Sequence, residues 1–411
     1  MTSPFRRQFA LLGTAANFRL LFLATLGSGI GTWMATVALT VDVQHRTHSP
    51  WWVSVLLIVS FLPSVVVGLL AGPLIDRLSR KRLIITADVV RFAVFVALPY
   101  LDSSLAIVLM AAVAGIANSF FRPAVLAGMP NLVAEEELAR GTSLLQATDW
   151  AATALGPVLG GAIVSASGPH LVYWINAATF LFSALLILRI SARFLQSEQG
   201  ITRGHWRDLR DGLAVFRHSR ALLTVLLAFG FAMIELGFVN VSEIFLATTS
   251  LHSGPFGYGL LWTATGVGLV TGSLLTAMLV EGRDLAALYP YVFLPWALGI
   301  LIAGISPDIW VAAAAMVLAG FGNGIAFPMT VLIVQRWTSD QLRGRAFTLI
   351  ISVHNALLGA AMIAAGALTK SFGPRWVYGF GAALLAAGSL AAFALARGIR
   401  SEHAVAREQT A

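Results

Sequence analysis

The sequence has no cysteine. A disulfide, a thiolate metal site and a cysteine nucleophile are therefore all excluded. Charge is scarce: 11% of the residues are Asp, Glu, Lys or Arg, where soluble domains carry roughly 25%. There is no Gly-x-x-x-x-Gly-Lys-Ser/Thr loop to cradle a phosphate, which argues against ATP as the direct energy source. No carboxylate–His or nucleophile–base pair stands at helical spacing, which argues against an embedded enzyme. The first apolar segment is too long for a secretory signal and lacks a small-residue cleavage site, so it is expected to remain as a membrane span.

What is present is apolar. Hydrophobic residues make up 58% of the chain and the mean hydropathy is +0.82. This is the composition of an integral membrane protein. A span needs about 20 apolar residues, and twelve such stretches can be read: 18–41, 51–75, 83–100, 104–127, 143–166, 171–190, 221–246, 258–280, 285–304, 309–334, 346–368 and 376–396. The expected fold is all-α. Six spans form an N-terminal half (1–190), a cytoplasmic linker follows (191–220), six more form a C-terminal half (221–397), and a cytoplasmic tail closes the chain (398–411). The linker ends in an amphipathic run, 205–220, suited to the membrane surface.

The two halves echo each other. Ala114-Gly115-Ile116-Ala117-Asn118 returns as Ala319-Gly320-Phe321-Gly322-Asn323, Pro123 as Pro328, Gly168-Pro169 as Gly373-Pro374, and Val172-Tyr173 as Val377-Tyr378. Each return comes 205 positions later in a 411-residue chain. A constant offset over such a stretch marks an internal repeat, a known layout of secondary transporters.

The formal net charge of +8 is explained by topology. Of the 27 Lys and Arg, 23 fall on one set of loops, three on the other (Arg46, Lys370, Arg375), and Arg91 lies within a span. The positive-inside rule then places both termini and the linker in the cytoplasm. No nucleic-acid role is needed to account for the basic balance.

Several motifs punctuate the spans. After the second comes Gly72-Pro-Leu-Ile-Asp76-Arg77-Leu-Ser79-Arg80-Lys81-Arg82. A glycine permits close helix approach, and Asp76 can pair with Arg80 or face a helix N-terminus. Asp88 and Arg91 stand three apart and share a helix face, with Asp149 a candidate third member. In the fifth span, Ala152-x-x-x-Gly156-Pro157-x-x-Gly160-Gly161 combines a proline kink with small residues. The loop after the second span resembles the signature loop of the major facilitator superfamily, with Ser79 where that family usually has glycine. The helix-5 pattern resembles that of its drug:proton antiporters. Pro130-Asn-Leu-Val-Ala-Glu-Glu-Glu-Leu-Ala and Leu342-Arg-Gly-Arg-Ala-Phe resemble the branch of macrolide-efflux, siderophore-export and transmembrane secretion effector proteins. The resemblance implies gating roles for Gly72, Asp76, Arg77, Arg80, Asp88, Arg91, Asp149, Gly156, Pro157 and Gly160. It implies that Gly156 and Gly160 pack at the junction between halves, and that helices 1, 4, 7 and 10 line a central cavity.

Ionisable residues at mid-membrane cost about 2.5–3.5 kcal/mol each, so one that is present needs a reason. Glu235 and Glu243 lie on the seventh span, roughly 12 Å apart along the axis and about 80° apart in rotation, so that both can border one cavity. A carboxyl taken out of water exchanges protons nearer neutrality. Glu235, Glu243 and Asp42 are thus candidates for proton coupling, with a buried structural Glu235, a snorkelling rim Glu243 and a solvated Asp42 as the plain alternatives. His354 and Asn355 are possible neighbours of a proton path. Ser28, Thr32, Thr36 and Thr40 make a polar stripe on the first span, open to a cavity or to helix packing. With Trp33, Thr36, Asn118, Arg122 and Asn323 they outline a candidate substrate cavity. Asn323 is the repeat mate of Asn118, whereas Phe327 stands opposite Arg122, which gives Arg122 a task of the first half alone.

The expectation is a monomeric multi-pass exporter in a bacterial cytoplasmic membrane. It needs no cofactor and moves a small amphipathic or lipophilic substrate against protons. A siderophore or lipid exporter, a nutrient uptake porter and a non-transporting membrane scaffold are the alternatives.

Overall fold

The computed structural model describes residues 11–70, 79–191, 220–281, 283–338 and 340–408. Among them every regular element is a helix and none is a strand. The order is α1 (Ala16–Thr47), α2 (Pro50–Leu70), α3 (Arg80–Ala97), α4 (Ser104–Gly128), α5 (Leu138–Ser167), α6 (Pro169–Arg189), α7 (Arg220–Phe245), α8 (Gly254–Val280), α9 (Phe293–Ile305), α10 (Ile309–Trp337), α11 (Asp340–Phe372) and α12 (Pro374–Glu408). Ten candidate membrane spans are long and apolar enough to cross a bilayer, and two shorter apolar helices, Pro50–Ser64 and Tyr289–Ile305, accompany them among the described residues.

Local chemistry fixes the ends. Ser79 caps α3 by accepting from the Arg82 amide, so the residue in the usual glycine place of the loop serves as a helix cap. Asp308 caps α10, accepting from the amides of Trp310 (2.8 Å) and Val311 (3.0 Å). Pro169 and Pro374 open α6 and α12, where a missing N–H costs nothing. The ninth span departs from the uniform run expected over 285–304. A short helix, Leu285–Leu288, and a 3-10 turn, Tyr289–Val292, precede α9. Pro290 sits in that turn and cannot donate to a helical ladder. α7 passes into a π turn, Leu246–Ser250, directly after Glu243 and the two residues that follow it.

The chain divides into two compact units, Met1–His48 with Val55–Arg203, and Ser49–Ser54 with Gly204–Ala411. Within the first, α1 packs on α5 and α6, and α3 on α4 and α6. Within the second, α7 packs on α11 and α12, and α9 on α10 and α12. The pairs are the same once six is added to each helix number. The turns repeat as well: Gly168 (φ 76°) links α5 to α6 and Gly373 (φ 83°) links α11 to α12, both in the left-handed region where glycine has no Cβ penalty. His48 (φ 47°) caps the end of α1, and His252 (φ 49°), 204 positions later, follows the π turn that extends α7.

The core of the first unit joins Phe18 and Leu21 of α1 to Ile84 of α3, Ala117 and Phe121 of α4, Leu144 and Leu145 of α5, and Ile187 of α6. Leu105, Leu109, Leu185 and Leu188 are each more than half exposed, as residues meant for lipid would be. In the second unit, α8 and α10 touch through glycines. A Cβ on Gly268, Gly272, Gly320 or Gly324 would run into the backbone of the facing helix, the small-residue packing that serves helices in lipid.

Candidate functional site

A cleft of about 170 Å³ opens within the first unit. Its walls are Thr25, Ser28, Thr32 and Trp33 of α1, Asn118, Phe121 and Arg122 of α4, and Gln146 and Asp149 of α5, with Arg91 of α3 behind them. Trp33, Asn118 and Arg122 are thus brought together. Thr36 is not among the lining residues, and Asn323 is half-buried on α10 of the other unit.

Arg91 is 3% exposed and fully engaged. Its Nη2 donates to Asp88 Oδ1 at 2.5 Å, Nη1 to Asn118 Oδ1 at 3.1 Å, and Nε to the Ala87 carbonyl at 3.3 Å. Ser183 Oγ donates to the other Asp88 oxygen at 2.7 Å. The guanidinium lies 4.3 Å from the centre of the Phe121 ring and 4.2 Å from that of Phe180. Every polar atom of this buried pair has work, which is the condition under which a buried pair holds. Asp149 does not join it. One turn along α4 from Asn118, Arg122 Nη1 donates to Asp149 Oδ1 at 2.5 Å. This second pair is open to solvent, with the two side chains 54% and 28% exposed. The task particular to Arg122 is therefore a bridge from α4 to α5 on the cleft wall.

The hydroxyl stripe turns inward on its own helix. Ser28, Thr32, Thr36 and Thr40 donate to the carbonyls of Ala24, Ser28, Thr32 and Thr36 at 2.7–2.9 Å. The protons are engaged in back-bonding and only lone pairs face outward.

The helix-5 glycines sit against α1 of the same unit. A Cβ on Gly156 would lie 2.5 Å from Trp33 Cβ, and one on Gly160 would lie 2.7 Å from the Met34 carbonyl oxygen. Ala152 meets Gly29 in the same row. These small residues set the α1–α5 distance and so the width of the cleft. Pro157 lies inside α5, which stays helical across it. Gly72, Asp76 and Arg77 lie outside the described residues, and Arg80 opens α3.

Asp42 is not solvated. It is 6% exposed and accepts from Arg46 Nε at 2.6 Å and from the Tyr173 hydroxyl at 2.9 Å, while Arg46 also donates to the Asp102 carbonyl at 3.0 Å. Nothing in the sequence linked Tyr173 to Asp42, 131 residues away. The same holds for Lys81, whose Nζ donates to the Leu188 and Ile190 carbonyls at the end of α6. A lysine near a helix C-terminus is a recognisable signal, but its distance in sequence hid it.

The second unit is arranged differently. Glu235 (0% exposed) and Glu243 (2%) are buried on α7. On α12, Gly381 makes room for the Glu235 Cγ. Both Glu235 oxygens, Glu243 Oε1 and the Tyr378 hydroxyl are buried without a hydrogen-bond partner. All four ion pairs among the described residues belong to the first unit. His354 does not reach these carboxyls by hydrogen bond; its Nε2 stands 3.2 Å from the Leu226 carbonyl.

A multi-pass helical membrane protein whose two units repeat one helix-pairing pattern has the architecture of a transporter of the major facilitator type. The family model described as transmembrane secretion effector matches residues 7–409, and the chain belongs to that family. Among curated relatives, the enterobactin exporter EntS of Citrobacter koseri is 26% identical over 90% of this chain and 90% of its own length. The multidrug efflux pump Tap of Mycobacterium tuberculosis is 24% identical over 86% and 87%. Among solved structures, a bacterial homologue of the iron transporter ferroportin in an inward-facing state superposes with a TM-score of 0.74 at 14% identity, covering 93% of this chain and 98% of that one. The family and these relatives are transporters, not enzymes, and exporters are among the relatives.

Proposed function

We propose that the protein exports a small amphipathic or lipophilic compound across the bacterial cytoplasmic membrane by proton antiport. It acts as a monomer of twelve spans in two six-helix halves, residues 1–190 and 221–397, that rock to alternate access. The linker 191–220, the tail 398–411 and both termini are cytoplasmic, and the only partners are substrate, protons and lipid. The cleft on α1, α4 and α5 contacts the substrate: Trp33 and Phe121 offer aromatic surface, and Asn118, Gln146 and the Arg122–Asp149 pair offer polar contacts. The observation that carries the coupling is Glu235, a buried carboxyl with two unpartnered oxygens in a family of exporters. Ion-driven transport needs such a group, and a purely structural Glu would have partners.

The partly exposed Arg122 favours a second reading, an exporter of a siderophore or lipid with an acidic group that Arg122 would meet. One experiment separates these. Proteoliposomes under an imposed pH gradient are offered lipophilic dyes, macrolides and siderophores, with wild type beside Glu235→Gln. Gradient-driven movement lost in the variant supports the reading. Movement retained removes Glu235 as the coupling group, and movement of siderophores alone selects the second reading.

A further inference from the structure

We infer that Arg91 is a positioning residue for the substrate. It holds the Asn118 side-chain amide so that its NH2 group, and not its oxygen, faces the cleft. The cleft thereby selects an apolar ligand that carries a carbonyl or carboxylate oxygen. This rests on the reading that the cleft on α1, α4 and α5 contacts the substrate, and it names the group by which the substrate is read. The chemistry of the contact allows one orientation. Arginine has N–H donors and no acceptor, so the Asn118 atom 3.1 Å from Arg91 Nη1 is the oxygen. The two ends of an asparagine amide have nearly the same shape, and without such a neighbour either can face a ligand. Here the neighbour is held. Arg91 is 3% exposed, its Nη2 and Nε donate to Asp88 and the Ala87 carbonyl, and its guanidinium lies against the Phe121 and Phe180 rings. Ser183 donates to the other oxygen of Asp88. Asn118 is the exposed end of this buried group and lines the cleft.

The walls of the cleft then differ in hydrogen-bonding sense. On α1, Ser28 and Thr32 donate their protons to carbonyls of their own helix and offer lone pairs alone. On α4, the Asn118 NH2 group stands one turn from the Arg122 guanidinium. The Arg122 side chain is 54% exposed and has N–H groups beyond the one given to Asp149. Donors thus sit on one wall and acceptors on the other. Asp149, the one carboxylate among the lining residues, already accepts from Arg122. Phe121, Val125, Leu126 and Leu145 supply apolar surface beside these groups. A ligand oxygen on the α4 wall meets N–H groups, whereas a ligand N–H placed there meets other donors. The arrangement selects an acceptor on an apolar body.

The internal repeat argues that the frame does not need this network. At the 205-position offset, Phe293 stands where Asp88 is, Trp296 where Arg91 is and Phe327 where Arg122 is, while Asn323 repeats Asn118. α9 packs on α10 in the second unit as α3 packs on α4 in the first. Aromatic residues therefore take the same positions in the same helix pairing, and apolar groups can replace a buried ion pair without loss of a fold. The three charges are absent together, and the asparagine alone remains. A charged group that the scaffold can do without, and that ends on an amide lining the cleft, serves the cleft.

The test compares two neutral ligands of one shape. Purified full-length protein in detergent is given radiolabelled acetylnaphthalene, whose carbonyl accepts, or isopropenylnaphthalene, in which a CH2 group replaces the oxygen. Each affinity is referred to the ligand's partition into empty micelles. Wild type prefers the ketone about fivefold, the effect of one hydrogen bond. Asn118→Asp, at an exposed position, still accepts from Arg91 but turns an oxygen to the cleft, and the preference is lost. Arg91→Lys keeps a charge beside Asp88 but frees the amide, and the preference falls. In the Asn118→Ala background the same Arg91→Lys exchange changes the preference no further, because no amide is left to orient. If Arg91→Lys fails to fold, infrared spectroscopy of the isotope-labelled ketone carbonyl replaces it: the stretch is lowered in wild type and not in Asn118→Asp. A wild type without the preference overturns the inference, as does a preference that survives Asn118→Asp. An Arg91→Lys effect that is equal with and without the Asn118 amide assigns Arg91 a structural role only and also overturns it. The preference as expected with no gradient-driven export would sink the export reading and leave the cleft assignment. Export intact with a preference that Asn118→Asp leaves unchanged would do the reverse.

Discussion

The first unit answers its buried charges and the second does not. Asp88 has Arg91 and Ser183, and Asp42 has Arg46 and Tyr173. Glu235 and Glu243 sit on the corresponding scaffold with no fixed cation and several unpartnered oxygens. The scaffolds share their helix pairings, their glycine turns and their tyrosines. The difference therefore comes from side chains placed on a common frame. A duplicated fold can keep one copy electrostatically closed, as a rigid polar framework, and leave the other open to a mobile ion.

The largest loss of stability is expected at Asp88. Asp88→Ala would leave Arg91 buried with its charge uncompensated, at a cost of about 3–5 kcal/mol. Unfolding in detergent should show this as a large fall in stability. The double variant Asp88→Phe, Arg91→Trp copies the residues of the second unit at those positions and should lose less than the single one, because no lone charge remains.

The packing contrast ranks next. On α5 a Cβ at Gly156 first meets the Trp33 side chain, whereas on α10 a Cβ at Gly320 first meets the Thr265 carbonyl. Gly320→Val should therefore cost more than Gly156→Ala. Overpacking typically costs about 1–3 kcal/mol, and Gly320→Val should reach the top of that range because what it meets is the Thr265 carbonyl and cannot rotate away. Thermal melts of the two variants give the order. Equal losses would mean that the α1–α5 contact is as unyielding as the α8–α10 one.

Much of this frame was legible in the sequence. Long apolar runs gave the helices, and the 205-position echo matches the glycine turns at Gly168 and Gly373. The Asp88–Arg91 spacing placed both on one face because helix geometry is local. The directions of side chains were not legible. α7 is apolar on nearly every face, with two thirds of its span buried, so no polar stripe told which way Glu235 points. By sequence Asp149 is a candidate third member of the Asp88–Arg91 group, and only the structure gives it Arg122. Tyr173, Ser183 and Lys81 act across 95 to 131 residues, a range over which no periodicity speaks.

The smallest expected effect on stability is at the Arg122–Asp149 pair, and it sharpens the comparison from the other side. Exposed pairs contribute about 0–1 kcal/mol, so Asp149→Asn should barely move the unfolding midpoint. The cleft depends on it differently. Without Asp149 the Arg122 guanidinium, already half-exposed, keeps its charge and loses its partner on α5. An acidic substrate should then bind more tightly and a cationic one more weakly, by about tenfold in opposite directions if the pair contributes about 1.4 kcal/mol of discrimination. Equilibrium binding of an acidic and a basic dye to wild type and Asp149→Asn reads this directly. Opposite shifts would show that the closed unit is also the unit that meets the substrate. Unchanged affinities, with the fold intact, would show that the Arg122–Asp149 bridge only joins α4 to α5 and that the cleft beside it is not where substrate is held.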